Sequence, residues 1–228
     1  MRAPLLLLAA LLVPAAVAQP SFSLAGAVGV PQGEFNDALG SVGGGLTGTV
    51  MYRIPRTAVA VGVEGTGLIY GYENRREPFS LTIPDVAVDV STANNLAQGL
   101  AVLRLQLPDG AVRPYVDGVA GVNYLWTQTT VGDDDVNVEI ASSTNFDDVT
   151  FAYGGGLGVQ ARLAERVGAD GRPRAVLLDA RARYLVGGQA TYLGRGDIDR
   201  FSDGTIRVFP RRSKTTMLIP QLGVTFEL

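Results

Sequence analysis

The chain has 228 residues, 46% hydrophobic and 18% charged, with a formal charge of −3, which leaves nothing basic enough for a nucleic-acid partner. The absence of Cys removes any disulfide framework, so stability has to come from closure, packing or a membrane. The absence of His removes the residue most often used as a general base near neutral pH and a common metal ligand.

Met1 and Arg2 make a short basic start, Leu5–Val17 an apolar run, and Ala16-Val17-Ala18 a small-residue cleavage site before Gln19. Residues 1–18 read as a secretory signal peptide, too short and wrongly flanked for a transmembrane helix. The mature chain is then 19–228, one domain, and the loss of Arg2 takes the formal charge from −3 to −4. No Cys follows the apolar run, which argues against a lipoprotein anchor.

Beyond Gln19, strand-like runs alternate with turns, and no stretch shows a convincing helical period. The predicted strands are Phe22–Val30, Val42–Ile54, Ala58–Tyr70, Ala97–Leu107, Val112–Gln128, Val149–Leu163, Arg174–Val186 and Thr215–Leu228. Each reaches the roughly 9–11 residues that a tilted strand needs to cross a bilayer. Connections after the second and fourth are tight, Ile54–Thr57 and Pro108–Ala111, and the one after the sixth, Ala164–Pro173, is somewhat longer. Those after the third, fifth and seventh are long and polar. Short turns at one end and long loops at the other are the layout of an outer-membrane barrel.

The two faces of each strand point the same way. Val59, Val61, Val63 and Ile69 alternate with Ala60, Gly62, Glu64 and Thr66; Leu103, Leu105 and Leu107 with Arg104 and Gln106. Phe151, Tyr153, Leu157, Val159 and Leu163 oppose Thr150, Gln160 and Arg162, and Val176, Leu178 and Tyr184 oppose Asp179, Arg181 and Arg183. A soluble half-buried sheet alternates too. What separates the membrane reading is the aromatics at the strand ends. Trp126, Phe151, Tyr153 and Tyr184 lie towards the long loops, and Tyr52 and Phe226 towards the short turns, as two girdles. Glu64, Arg104, Arg113, Asp117, Arg162, Asp179, Arg181 and Arg183 then point inward as a polar network. The prolines are harder to place, since a closed barrel has no free edge. Pro114 fits as a strand opener; Pro220 requires a bulge or a lost ladder bond.

"GVPQGEFND" at Gly29–Asp37, the glycines Gly43–Gly45, and "YLVGGQATYLGRGDI" at Tyr184–Ile198 resemble the bacterial outer-membrane β-barrel domain family, the small OmpA/OmpX-like barrels. The resemblance covers essentially the whole mature chain. It implies an all-β, eight-stranded antiparallel up-and-down transmembrane barrel with short periplasmic turns and long extracellular loops, in the outer membrane, with lipid around it and no cofactor. It also implies a role for "PQLGVTFEL" at Pro220–Leu228. Gln221, Gly223, Phe226 and Leu228 match the family's signal to the barrel-assembly machinery, with Leu228 where an aromatic is commoner.

Other motifs carry less. "GRGD" at Gly194–Asp197 resembles an adhesion tripeptide but arises easily by chance. "GGGLG" at Gly154–Gly158 lies within a strand with no helix after it, so its glycines suit curvature or close packing. "GDDD" at Gly132–Asp135, with Glu139, Asp147 and Asp148, makes a solvated acidic loop whose spacing matches no EF-hand. The Asp203-Gly204 turn within "FSDGTIRVF" predicts that the basic final loop projects as a two-stranded extension.

An eight-stranded barrel is only just wide enough for its own side chains. The leading expectation is therefore a non-enzymatic protein, structural or interacting through its outer loops. A small-solute channel needs more strands or an open lumen. An outer-membrane lipid hydrolase or acyltransferase typically uses His with Ser. A soluble exported lipocalin-like binder would stay in the periplasmic fraction without detergent.

Overall fold

The computed structural model describes residues 19–80, 83–107, 109–133, 138–167, 173–192, 198–200, 206–208 and 210–228. Eight strands close on themselves: β1 (Gln19–Pro31), β2 (Gly43–Arg53), β3 (Val59–Ser80), β4 (Ile83–Gln106), β5 (Val112–Asp133), β6 (Val138–Val167), β7 (Pro173–Gly187) and, last in the chain, β12 (Met217–Glu227). Every neighbour is antiparallel, and β12 returns to β1 to seal the wall. Closure is what the environment demands, because a strand edge in hydrocarbon leaves backbone groups with no partner. Following the rungs round the wall leads from Gln19 through Arg53, Ala60, Arg104, Asp117, Gly156 and Arg183 to Ile219, high on β12. The strands are thus tilted, as a barrel of this size requires.

All eight predicted strands are present, but four are longer than their apolar alternation indicates. β3 and β4 stay paired from the wall out to Ser80–Ile83, and β5 and β6 out to Asp133–Val138. Much of these segments reads as loop in the sequence because stretches such as Glu73-Asn74-Arg75-Arg76-Glu77 have no lipid-facing alternation. Outside the bilayer that alternation is not needed, and the backbone ladder alone continues the hairpin. The final loop also forms a ladder: β8 (Gln189–Tyr192) pairs with β11 (Arg211–Lys214), and β9 (Ile198–Arg200) with β10 (Ile206–Val208). The Asp203-Gly204 turn and the Gly194–Asp197 motif lie outside the described residues, as do part of the acidic Gly132–Asp135 segment and residues 1–18 with Ala16 and Ala18.

One element has no counterpart in the sequence reading. A six-residue helix, α1 (Glu34–Leu39), follows β1, closed at its end by Gly40 in the left-handed conformation with its N–H on Asn36 O at 2.8 Å. Its length is well below the window in which a helical period is visible. Phe35 and Leu39, one turn apart, are both buried, and Phe35 packs edge-on against Tyr70 and Tyr192.

Those contacts show a second departure from expectation. The upper lumen, towards the long loops, is apolar: Leu68, Tyr70, Leu96, Leu125, Leu185, Met217 and Ile219 point inward and join Phe35, Leu39 and Tyr192 in one core. Segments such as Leu68-Ile69-Tyr70 are apolar on both faces, the inner for this core and the outer for lipid. On the outside, Phe151, Tyr153 and Tyr184 are exposed near the long-loop end, with Trp126 stacked on Tyr124 at 5.2 Å. Tyr52, Phe226 and Phe22 are exposed near the other end.

Pro220 sits on the outer face of β12. The β12–β7 ladder runs through it without a break or a shift. On the β1 side the rungs jump from Ala27–Gln221 to Val30–Leu218 in constant register, so two rungs are lost and there is no bulge. A proline has no N–H to give, and the wall closes with that bond missing. Pro114 lies opposite Val159 on β6 but past the end of β4, where it opens the strand as expected. Replacing Pro220 by Val restores a donor on a lipid-facing side chain of similar size. The urea unfolding midpoint, read from the single tryptophan, Trp126, should rise by about 1 kcal/mol equivalent.

The charged lumen as candidate functional site

Strand parity and register, not sequence proximity, assemble the inner charges. Arg104 on β4 lies directly opposite Asp117 on β5, and its guanidinium grips the carboxylate through Nε at 2.8 Å and Nη2 at 3.0 Å. Arg183 on β7 reaches the same carboxylate at 2.7 Å across β6 and also donates to Glu64 on β3. It can do so because the position between them is Gly156. A Cβ there would meet Arg183 Cγ at 2.6 Å and the Ala182 carbonyl oxygen at 2.7 Å. Arg181 adds a second cation to Glu64 at 3.1 Å and donates to Thr49 Oγ1 at 3.0 Å and to Gln221. Thr49 in turn donates to Glu64 at 2.8 Å.

Asp179 is held differently. Its nearest cations, Arg104 and Arg181, stand off at 3.9 Å, and its hydrogen bonds come from Tyr115 at 2.5 Å, Gln160 at 2.9 Å and Thr225 at 3.1 Å. The Tyr115 ring lies under Arg104, whose Cζ is 3.6 Å from the ring centroid. Gly158 gives that ring its room, since a Cβ there would lie 2.2 Å from Tyr115 Cζ. Glu64, Asp117 and Asp179 therefore balance Arg104, Arg181 and Arg183, all six buried.

Below this network the short-turn mouth carries its own pairs. Glu227 on β12 accepts from Arg113 at 2.8 Å and Arg53 at 3.2 Å, and Arg53 also donates to Gln106 at 3.0 Å. A cavity of about 20 Å³ remains there, bordered by Arg53, Arg104, Gln106, Gln160 and Glu227. An open cleft of about 460 Å³ lies outside the mouth between Arg56 and Asp109.

Of the eight residues assigned inward, Arg162 keeps that parity, opposite buried Leu177, but stands at the mouth outside the central network. Its side chain is 27% exposed at the rim, pairs with Glu165 and donates to Gly110 O at 3.2 Å. The register shift between Arg162 and Ala164 comes only after it, so Arg162 keeps the parity of Gln160 and differs in lying at the mouth. Arg113 belongs to the mouth and not to the central six. The neutral partners Thr49, Tyr115 and Thr225 go unassigned in the sequence analysis, and Gln160 is placed on the polar face without a role. Their signal is available: Thr49 faces Glu64 across the β2–β3 ladder, and Tyr115 precedes Asp117 by two.

The four residues of the C-terminal signal divide between the two faces of β12. Phe226 and Leu228 are exposed outside, while Gln221 and Gly223 point in. A Cβ at Gly223 would lie 2.1 Å from the Leu24 carbonyl oxygen, so the seam closes tightly at that point. Gln19 starts β1 opposite Arg53. Ser23 bonds the Thr225 hydroxyl at 2.7 Å and not a base, and no group of three or more Asp or Glu that could hold a metal occurs among the described residues.

Arg183 bridges two carboxylates, so Arg183→Met leaves buried negative charge in excess. The expected loss is about 3–5 kcal/mol of unfolding free energy. Arg162→Met, at the solvated rim, should change stability by less than about 1 kcal/mol. Urea midpoints of the two variants in the same detergent test the difference.

The chain is similar to Neisserial surface protein A (NspA), at 14% identity and a TM-score of 0.47, with 92% of this chain and 96% of that one covered. It is also similar to Ail, the attachment invasion locus protein of Yersinia pestis, at 14% identity and a TM-score of 0.37, with 92% and 97% covered. A major outer membrane protein from Thermus thermophilus matches at 12% identity and a TM-score of 0.44, with 92% and 99% covered. No curated protein matches by sequence. The model of the outer membrane protein β-barrel domain matches residues 3–199, nearly the whole of a chain that closes eight tilted strands around buried charge, and the protein belongs to that family.

Proposed function

We propose that this outer-membrane barrel is a non-enzymatic wall element, structural or acting through its long-loop extensions, and that its lumen does not conduct. One observation carries the reading: three carboxylates and three guanidiniums fill the middle of the barrel with their charges paired. The apolar core under α1 adds a second, dry layer above them. An ion entering this path has to break buried pairs and then leave water altogether, and both steps are expensive. The enzyme alternative has no support from the residues, since the chain lacks His and the hydroxyls of Ser23, Thr49, Tyr115 and Thr225 are engaged with one another or with carboxylates. The channel reading requires the ionic layer to be labile. In planar bilayers the protein should give no steady conductance above baseline; sustained single-channel steps from the unmodified protein would put the channel reading first.

The same reading assigns residues 1–18 to a signal peptide removed between Ala18 and Gln19, and Gln221, Gly223, Phe226 and Leu228 to recognition by the barrel-assembly machinery. Outward exposure of Phe226 and Leu228 supports the latter, since an interior role would need them inside. Deleting Phe226–Leu228 should leave the chain in the periplasm and subject to proteolysis. Insertion of the truncated chain at normal levels would contradict the assignment.

A further inference from the structure

The hairpin extension formed by β8 and β11 has one face that the closed-lumen reading leaves without a role. Its inner face is accounted for: Ala190, Tyr192 and Ser213 are buried, Tyr192 bonds Ser213 at 2.7 Å, and both Ala190 and Tyr192 join the core beneath α1. The opposite face is therefore a continuation of the outer wall, directly above Tyr184 and Leu218, which pair with each other on β7 and β12. That face carries Lys214 opposite Gln189 and Arg212 opposite Thr191. All four are exposed or half-exposed. Lys214 lies four residues before Leu218, about 13 Å along the strand, and less than that along the membrane normal because of the tilt. This is the height at which an aromatic girdle gives way to lipid headgroups.

Two cations two residues apart on one strand face stand about 7 Å apart at their Cα atoms, and two neutral donors flank them. Neither Arg212 nor Lys214 has an ion-pair partner among the described residues. Two carboxylates border the hairpin and bond its backbone: Glu34 accepts from the Lys214 N–H at 3.4 Å and Asp148 from the Thr191 N–H at 2.7 Å. We infer that Arg212 and Lys214, with Thr191 and Gln189, form a binding face for the phosphate groups of membrane lipid on the long-loop side. A guanidinium fork beside a mobile ammonium suits phosphate oxygens, and Thr and Gln supply further donors. Continuity with the lipid-facing belt commits the site to a headgroup, because any occupant must be anchored next to Tyr184 and Leu218.

The test uses the full barrel folded in phosphatidylcholine vesicles doped with bis-phosphorylated lipid A or with the same lipid after dephosphorylation. Co-extracted lipid, quantified by mass spectrometry, gives the affinity, and heat-modifiable gel mobility reports the fold. Each Lys or Arg at a charged membrane surface is worth about five-fold in affinity, so the Arg212→Gln/Lys214→Gln double variant should bind the phosphorylated lipid roughly 25-fold more weakly. Arg56→Gln, in a short turn at the other end, should bind as the parent does. Parent binding should also weaken as salt is raised, a result that needs no variant to fold. The inference is overturned if the folded double variant keeps the parent affinity, if the dephosphorylated lipid binds as tightly, or if binding ignores salt. It is overturned equally if inorganic phosphate displaces the lipid, which would mark a site for soluble anions.

Discussion

A closed wall of eight strands encloses a space one side chain deep, and everything else in this protein follows from having to fill it. The wall must close because lipid offers no partner to a strand edge. Once closed, it confines every inward side chain away from bulk water, so an inward charge is tolerable only beside its opposite. The central six residues meet that condition through a chain of shared partners. Arg183 joins Glu64 to Asp117, Arg104 joins Asp117 to the surroundings of Asp179, and Arg181 joins Glu64 to Gln221 on the closing strand. Glycine is part of the same solution, since Gly156 and Gly158 on β6 make the room that Arg183 and Tyr115 occupy.

The wall is largely legible in the sequence and the filling only partly so. Alternation with period two is an unavoidable consequence of a strand with lipid on one side, so Leu103, Leu105 and Leu107 against Arg104 and Gln106 are enough to assign the faces. The same rule fails where its cause is absent. Beyond the bilayer, Glu73–Glu77 remains in a ladder with no alternation, and the predicted strand ends therefore fall too early. At Arg162 the parity holds, opposite Leu177 as Gln160 is opposite Asp179, but the strand has reached the mouth and the side chain ends at the solvated rim. In the upper lumen Leu68 and Leu125 are apolar on the inner face as well, and nothing local distinguishes a residue facing lipid from one facing a dry core. The six residues of α1 fall below any periodic signal; only the chemistry of Gly33 and Gly40 at its ends marks them.

The two layers of the lumen do different physical work. The apolar layer, from Leu68 and Leu96 up to Phe35, is stabilised without direction by removal of surface from water, and it tolerates small shifts of its members. The ionic layer is directional. Each guanidinium reaches its carboxylates from one strand at one height, so a slip of register by one residue would turn a whole strand's charges out into lipid and its Leu and Val inward. The ionic layer thus specifies the register that the apolar layer only fills. This separates two properties often credited to the same contacts, how stable the barrel is and how unique its strand pairing is.

The closing strand ties these points together. β12 begins with Met217 and Ile219 in the apolar layer and ends with Gln221, Thr225 and Glu227 in the polar one. Gln221 accepts from Arg181, Thr225 donates to Asp179, and Glu227 holds Arg113 and Arg53. Until that strand is in place, Arg113 and Arg53 lack the Glu227 carboxylate and Arg181 lacks one of its acceptors. Its other edge meets β1 along a ladder already short of two rungs beside Pro220. The seam consequently gives up backbone bonds at that point, and side chains reaching across the lumen compensate for them. Sealing the backbone and neutralising the interior are then one event, driven from the inside as much as from the wall.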